Sequence, residues 1–96
     1  MAGNRKPESP RWTFLTAHTL VLLHAHAYPG ATLREIAAAV GRTDRQVARL
    51  VKDLDSAGYI RREHVGRNAR TTVERDRPLS EIPGWTVGDL LDALGR

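Results

Sequence analysis

Residues 32 to 58 constrain the fold more tightly than any other stretch, because they spell two short amphipathic helices, each with its own start and stop signal. Thr32-x-x-Glu35 and Thr43-x-x-Gln46 have the form of a capping box, in which the threonine hydroxyl and the third-position side chain satisfy orphan amides reciprocally. Gly41 and Gly58 fall just past the last apolar positions, where a left-handed residue closes a helix without a Cβ penalty. Leu33, Ile36, Ala37 and Val40 recur at i, i+3, i+4, i+7 and predict a helix over 33–40. Over 44–57, Val47, Leu50, Val51 and Leu54 fall in one narrow sector and are the core side of the next helix. The pair is a helix-turn-helix. Ala37 sits where the two helices should cross, and its small side chain allows close approach.

The flanking sequence extends this motif. Residues 1–8 are polar, charged and proline-containing, and read as a disordered arm. Ser9-Pro10 has the form of an N-cap and first helical position, predicting a long first helix to about Ala27, where Pro29-Gly30 ends it. Along that helix Leu15, Thr19, Leu22 and Ala25 share one side, with Phe14, Val21 and Tyr28 close by. After Gly58, two runs rich in β-branched residues flank Gly66-Arg67-Asn68-Ala69 and predict a β-hairpin over about 59–76. A final helix begins at the cap Thr86, with Val87, Leu90, Leu91 and Leu94 on one face. The expected fold is therefore mainly α with a small β-hairpin, a winged helix-turn-helix with a three-helix core, a two-stranded wing and a C-terminal helix. Its domain spans 9–77, and 78–96 is a linker plus a helix that packs on helix one or at a dimer interface.

Composition narrows the function classes. Ninety-six residues suffice for one small domain. Without cysteine there is no disulfide framework, thiolate ligand or sulfur nucleophile, which fits a reducing compartment. The apolar run Leu20–Leu23 falls far below the ~20 residues that span a membrane, and the first residues lead into no signal-peptide apolar region, so a cytoplasmic location is expected. No G-x-S-x-G, P-loop, dinucleotide loop or His-Glu-x-x-His occurs, and no enzymatic activity or cofactor is expected. His24 and His26 point about 200° apart on a helix and His18 and His24 about 120° apart, against the i, i+4 spacing that zinc favours. No metal site is expected within one chain, leaving only a site shared between subunits.

The net charge is +4 and the basic residues are concentrated, with six arginines against three acids in 61–77 and one against three in 78–96. At about 100° per residue, Arg45, Arg49 and Lys52 lie within an arc of about 60° opposite the core face of the second motif helix. Arg42, Thr43 and Gln46 lie at its N-terminus, the end that touches bases when such a helix enters a major groove. Arg45 and Arg49 suit bidentate contacts to guanine and Gln46 a contact to adenine, whereas Arg42 and Lys52 suit phosphate. Arg67 and Arg70, with Asn68 between, are expected at the hairpin tip, where arginine enters a minor groove or binds backbone. Arg61, Arg62 and Arg75 flank the same ribbon, where charged strands also serve to blunt edge pairing. These residues point to double-stranded DNA. The alternative is a winged-helix module that binds a protein through the C-terminal apolar face.

With these residues placed, the chain resembles the small winged-helix transcriptional regulators of the MarR/ArsR type, in particular short bacterial proteins with Trp-Thr-Phe-Leu-Thr (Trp12 to Thr16), Ala-Gly-Tyr-Ile (Ala57 to Ile60), a Gly-Arg-Asn wing (Gly66 to Asn68) and a Thr-Val-Gly-Asp-Leu-Leu end (Thr86 to Leu91). Arg70-Thr71 stands where aromatic wing residues are common, and the metal-binding cysteines of ArsR proteins are missing. The larger MarR proteins hold small effectors between a DNA-binding part and long dimerisation helices, a second part that this chain lacks, so any effector stays open. The resemblance implies a homodimer, for which Trp12, Phe14, Leu15, Leu90, Leu91 and Leu94 are the candidate interface. A two-fold dimer would set its recognition helices about one DNA turn, ~34–36 Å, apart.

Overall fold

In the computed structural model, which describes residues 12–66 and 68–94, both threonine caps close. Thr32 Oγ1 accepts from the Glu35 amide at 3.1 Å while Glu35 Oε1 accepts from the Thr32 amide at 2.8 Å. The Thr43–Gln46 pair repeats this at 3.1 and 3.0 Å. The caps open helices α2 (Leu33–Val40) and α3 (Asp44–Ser56). Gly41 ends α2 at φ 72°, and the Arg42 amide closes back on the Ala37 carbonyl at 3.0 Å. At the end of α3, Gly58 stands at φ 84° with its amide on Asp55, and the Tyr59 amide reaches the Leu54 carbonyl at 2.9 Å. That bonding pattern is a Schellman motif, which turns the chain directly into the hairpin.

The first helix is shorter than its apolar run predicts. Helix α1 is Ala17–Ala27, and residues 12–16 are not helical. Ser9-Pro10, the expected cap, and the arm over 1–8 lie outside the described residues. Thr16 takes the cap, extended at φ −71° and ψ 160°, with its Oγ1 accepting from the Thr19 amide at 3.2 Å. A threonine that bonds its own downstream amide offers the backbone an alternative to continuing the helix. Trp12 and Phe14 therefore stand outside the helical stripe, and Val21 is the fully buried centre of α1.

Strands β1 (Ile60–Val65) and β2 (Asn68–Val73) pair antiparallel, from Ile60 opposite Val73 to Val65 opposite Asn68. The connection is Gly66-Arg67 alone, not the four residues expected. Gly66 stands at φ 65°, which suits the first position of a two-residue hairpin loop and lets Asn68 and Ala69 join the ladder. The Thr71 amide donates to the Pro29 carbonyl at 2.8 Å, pinning the hairpin to the α1–α2 turn.

Helix α4 (Val87–Ala93) docks on the same body. Thr86 and Asp89 form a third reciprocal cap, the Val87 amide donates to the Arg77 carbonyl and the Gly88 amide to that of Arg75, each at 2.8 Å. All the early donors of this short helix are thus satisfied. A Cβ on Gly88 would stand 3.1 Å from the Arg75 carbonyl oxygen, so glycine permits the close approach. One core joins Val21 and Leu22 of α1, Ile36 and Ala37 of α2, Val47, Val51 and Leu54 of α3, Ile60 of β1, and Val87 and Leu91 of α4. Leu50 and Val40 are only partly buried at its edge.

Ile36 is 1% exposed, and Ile36→Ala is expected to cost about 2–5 kcal/mol through lost transfer energy and a cavity. Thr43→Ala is expected to cost about 1 kcal/mol by removing a cap. Urea unfolding checks both, with lower midpoints at unchanged slope.

Candidate nucleic-acid interface

The N-terminal half of α3 and the turn before it present a basic surface. Arg42, Arg45, Gln46 and Arg49 line a shallow recess of about 540 Å³, with Ala17 and Leu50 at its apolar edge. Arg42, Arg45, Arg49 and Lys52 are all exposed, while Val47, Val51 and Leu54 are buried, so the helix divides its faces by charge. None of these four cations makes a salt bridge among the described residues.

Thr43 and Gln46 are less available than their position suggests. The Thr43 hydroxyl accepts from the Gln46 amide, and Gln46 Oε1 accepts from the Thr43 amide. A bidentate contact to adenine needs both the oxygen and the nitrogen of a glutamine side chain. While the cap holds, one lone pair of Gln46 Oε1 is taken and the side chain is tied to the helix start, leaving Nε2 and a single lone pair for a base.

In the hairpin the arginines sort by partner. Arg62, on the face of the ribbon turned to the body, donates to Oγ1 of buried Thr71 at 2.8 Å. Arg61 lies between Glu63 at 3.7 Å and Glu74 at 3.6 Å. Arg75 Nη2 donates to both carboxylate oxygens of Asp92 at 2.9 Å, and the Arg77 guanidinium stacks over the Tyr59 ring at 5.7 Å. Arg70 is exposed but is not at the tip, because it pairs in register with Glu63 on the same outer face of the ribbon. Asn68 is likewise a strand residue opposite Val65. Arg67, the remaining tip candidate, lies outside the described residues.

In fold, the chain is similar to the crystal structure of MepR, a transcription regulator of the Staphylococcus aureus multidrug efflux pump MepA, with a TM-score of 0.55 at 21% identity. The match covers 84% of this chain and 55% of MepR, so this chain spans about half the length of that one. The fold is a winged helix. No protein-family model and no curated protein matches the sequence. In winged-helix terms α2 and α3 are the helix-turn-helix, α3 is its second helix and β1–β2 is the wing.

The residues expected at a subunit contact separate. Trp12 is 64% and Phe14 86% exposed, and their rings meet edge to face at 6.3 Å. Leu15 and Leu90 are half-buried and Leu94 is exposed, but Leu91 is 2% exposed in its own core and offers no surface to a partner. Ile82 and Trp85, missed by the sequence reading, are each 40% exposed on the loop before α4. Proline and glycine between them drew attention to the loop as a break and away from its apolar side chains.

His18 Nε2 meets Asp53 Oδ2 of α3 at 2.9 Å, and the His24 ring lies 4.9 Å from that of Tyr28. Among the described residues no group of three or more His, Cys, Asp or Glu is placed to hold a metal ion, and no helix is long and apolar enough to cross a membrane. Because Arg45 and Arg49 are exposed and make no salt bridge among the described residues, Arg45→Ala and Arg49→Ala are expected to change stability by less than about 0.5 kcal/mol. Arg75→Ala removes the Asp92 contact and packing against Gly88, and is expected to cost up to about 1 kcal/mol. Thermal melts of the variants side by side check this difference.

Proposed function

We propose that the protein is a sequence-specific double-stranded DNA-binding transcriptional regulator without catalytic activity. Helix α3 enters the major groove, and the wing lies on the flanking groove or backbone. The observation that carries this reading is that Arg42 in the turn and Arg45, Arg49 and Lys52 on the side of α3 opposite its buried residues make no salt bridge among the described residues. An arginine already held by a carboxylate must give up that partner to reach a phosphate, whereas these four need not. Arg45 and Arg49 face base edges, and Arg42 and Lys52 fix position on phosphates. Thr43 contributes through the cap that orients the helix, and Gln46 through its Nε2. On the wing, Arg70 is the contact, with Asn68 and Arg67 towards the tip. Arg61, Arg62 and Arg75 act within the fold.

The same reading includes a homodimer formed through Trp12, Phe14, Leu15, Leu90 and Leu94, to which Ile82 and Trp85 add apolar surface. Its two α3 helices would read half-sites about one DNA turn apart. The exposure of Ile82, Trp85 and Leu94 also favours a second reading, a winged-helix module whose partner is a protein held on that side.

Selection of bound fragments from genomic DNA at a stated salt concentration separates the two, since a phosphate-dependent binder weakens steeply as salt rises. Enrichment of a common site is expected. Absence of enrichment at any salt leaves the protein-binding module. On the selected site, Arg49→Ala is expected to cost about 1–3 kcal/mol and relax base preference, and Lys52→Ala to reduce the slope of log affinity against log salt by about one. Arg61→Ala should leave both nearly unchanged.

A further inference from the structure

Helix α1 is apolar on more than its buried side. Ala17–Ala27 includes no lysine, arginine, aspartate or glutamate in a chain that is 27% charged, whereas α2, α3 and α4 each carry acids. The helix is too short to span a membrane, so its lack of a charged face fits it for protein on both sides. At about 100° per residue, Leu20, Leu23 and Ala27 form a stripe centred about 180° from Val21, Leu22 and Ala25, which are buried in the core. The stripe runs along an open groove of about 410 Å³, completed by His24 and, from the end of α2, by Ala39 and Val40. Through His24 and Ala27 the groove continues into a second open recess of about 610 Å³ over Tyr28, Pro29 and Gly30. Before the other end of α1, Trp12 and Phe14 stand largely exposed.

We propose that a second copy of the chain covers this side, its α1 lying antiparallel across the stripe. The stripe is symmetric about Leu23 and His24, so a two-fold axis there sets Leu20 of each copy against Ala27 of the other. The same operation carries the Trp12–Phe14 pair of each copy past the end of the other α1, towards the recess at Tyr28 and Pro29. One two-fold thus gives an occupant to the groove, the recess and the aromatic pair together, and the stripe brings in no lysine, arginine or carboxylate to desolvate. Ala17 lies about a quarter turn from the stripe on α1 and lines the basic recess with Arg42, Arg45, Gln46 and Arg49. A two-fold perpendicular to the plane of the paired helices therefore turns both recesses to one side of the dimer. Use of that shared side for DNA rests on the proposed function, to whose dimer the pairing adds the outer face of α1.

Analytical ultracentrifugation of the full chain without DNA tests the pairing. The wild type is expected at twice the chain mass at micromolar concentration. Ala27→Lys, at an exposed position, and Leu20→Glu, at a half-buried one, should each sediment as monomers with unchanged far-ultraviolet circular dichroism. Mixed in equal amounts, the two variants should return to the dimer, because the antiparallel register sets position 20 of one copy against position 27 of the other with opposite charges. Trp12→Ala should raise the dissociation constant several-fold. Folded single variants that both remain dimeric, or a mixture that stays monomeric, overturn the pairing of α1. In the first case the dimer of the proposed function survives through its other residues. A wild type that is monomeric up to about 100 μM overturns the pairing and that dimer together, and leaves DNA binding to the fragment selection.

Discussion

The three-residue turn Gly41-Arg42-Thr43 is the constraint on which the rest of the structure depends. Gly41 must stand at positive φ for α2 to stop, and Thr43 must be extended for α3 to start, so the chain reverses within one residue of each helix. The Arg42 amide on the Ala37 carbonyl closes the α2 end and the reciprocal Thr43–Gln46 cap closes the α3 end, both using groups that would otherwise need water. With the angle fixed, Ala37 and Val47 are both driven into the core, and the opposite side of α3 necessarily faces solvent. The charged face is thus a geometric consequence of the turn together with the apolar spacing.

Charge alone does not separate binding residues from structural ones in this chain. Arg62 and Arg75 carry the same guanidinium as Arg45 and Arg49, yet one is spent on a buried hydroxyl and the other on a carboxylate of α4. Desolvating Thr71 without a partner would leave an unsatisfied hydroxyl, so Arg62 has a role in the fold that a phosphate would compete with. Arg61 is flanked by two acids and contributes little net field. Among the described residues, the cations with neither a salt bridge nor another side-chain partner are Arg42 in the turn, Arg45, Arg49 and Lys52 on α3, and Arg70 on the outer face of the wing.

Features carried by local rules were legible in the sequence. The α2–α3 pair, its two caps and its glycine stop follow from spacing and side-chain chemistry within a few residues, and the structure reproduces α2 to the residue and α3 to within one. Features set by distant contacts were not. The start of α1 was placed at Ser9-Pro10, whereas Thr16 takes the cap by binding the Thr19 amide. The burial of Leu91 depended on Gly88 meeting Arg75, thirteen positions earlier, which no periodicity records. The wing tip was misplaced because Asn68 reads as a turn residue, although the positive φ of Gly66 already lets the chain reverse in two residues. Among the site residues, side-chain direction on α3 was readable from the wheel, but the engagement of Gln46 and Arg62 by neighbours was not.

The distance between α3 and the wing is held by backbone and not by the residues that would touch DNA. The Tyr59 amide binds the Leu54 carbonyl of α3, the Tyr59 carbonyl accepts from Glu74 at 2.8 Å, and the Arg75 carbonyl accepts from Gly88 of α4. Tyr59 is thus a junction through which the helix, the base of the wing and the last helix share one hydrogen-bonded path. Side chains on the outer faces take no part in that path. On the proposed DNA-binding reading, Arg45, Arg49 and Arg70 can therefore vary with base sequence without shifting α3 and the wing relative to each other.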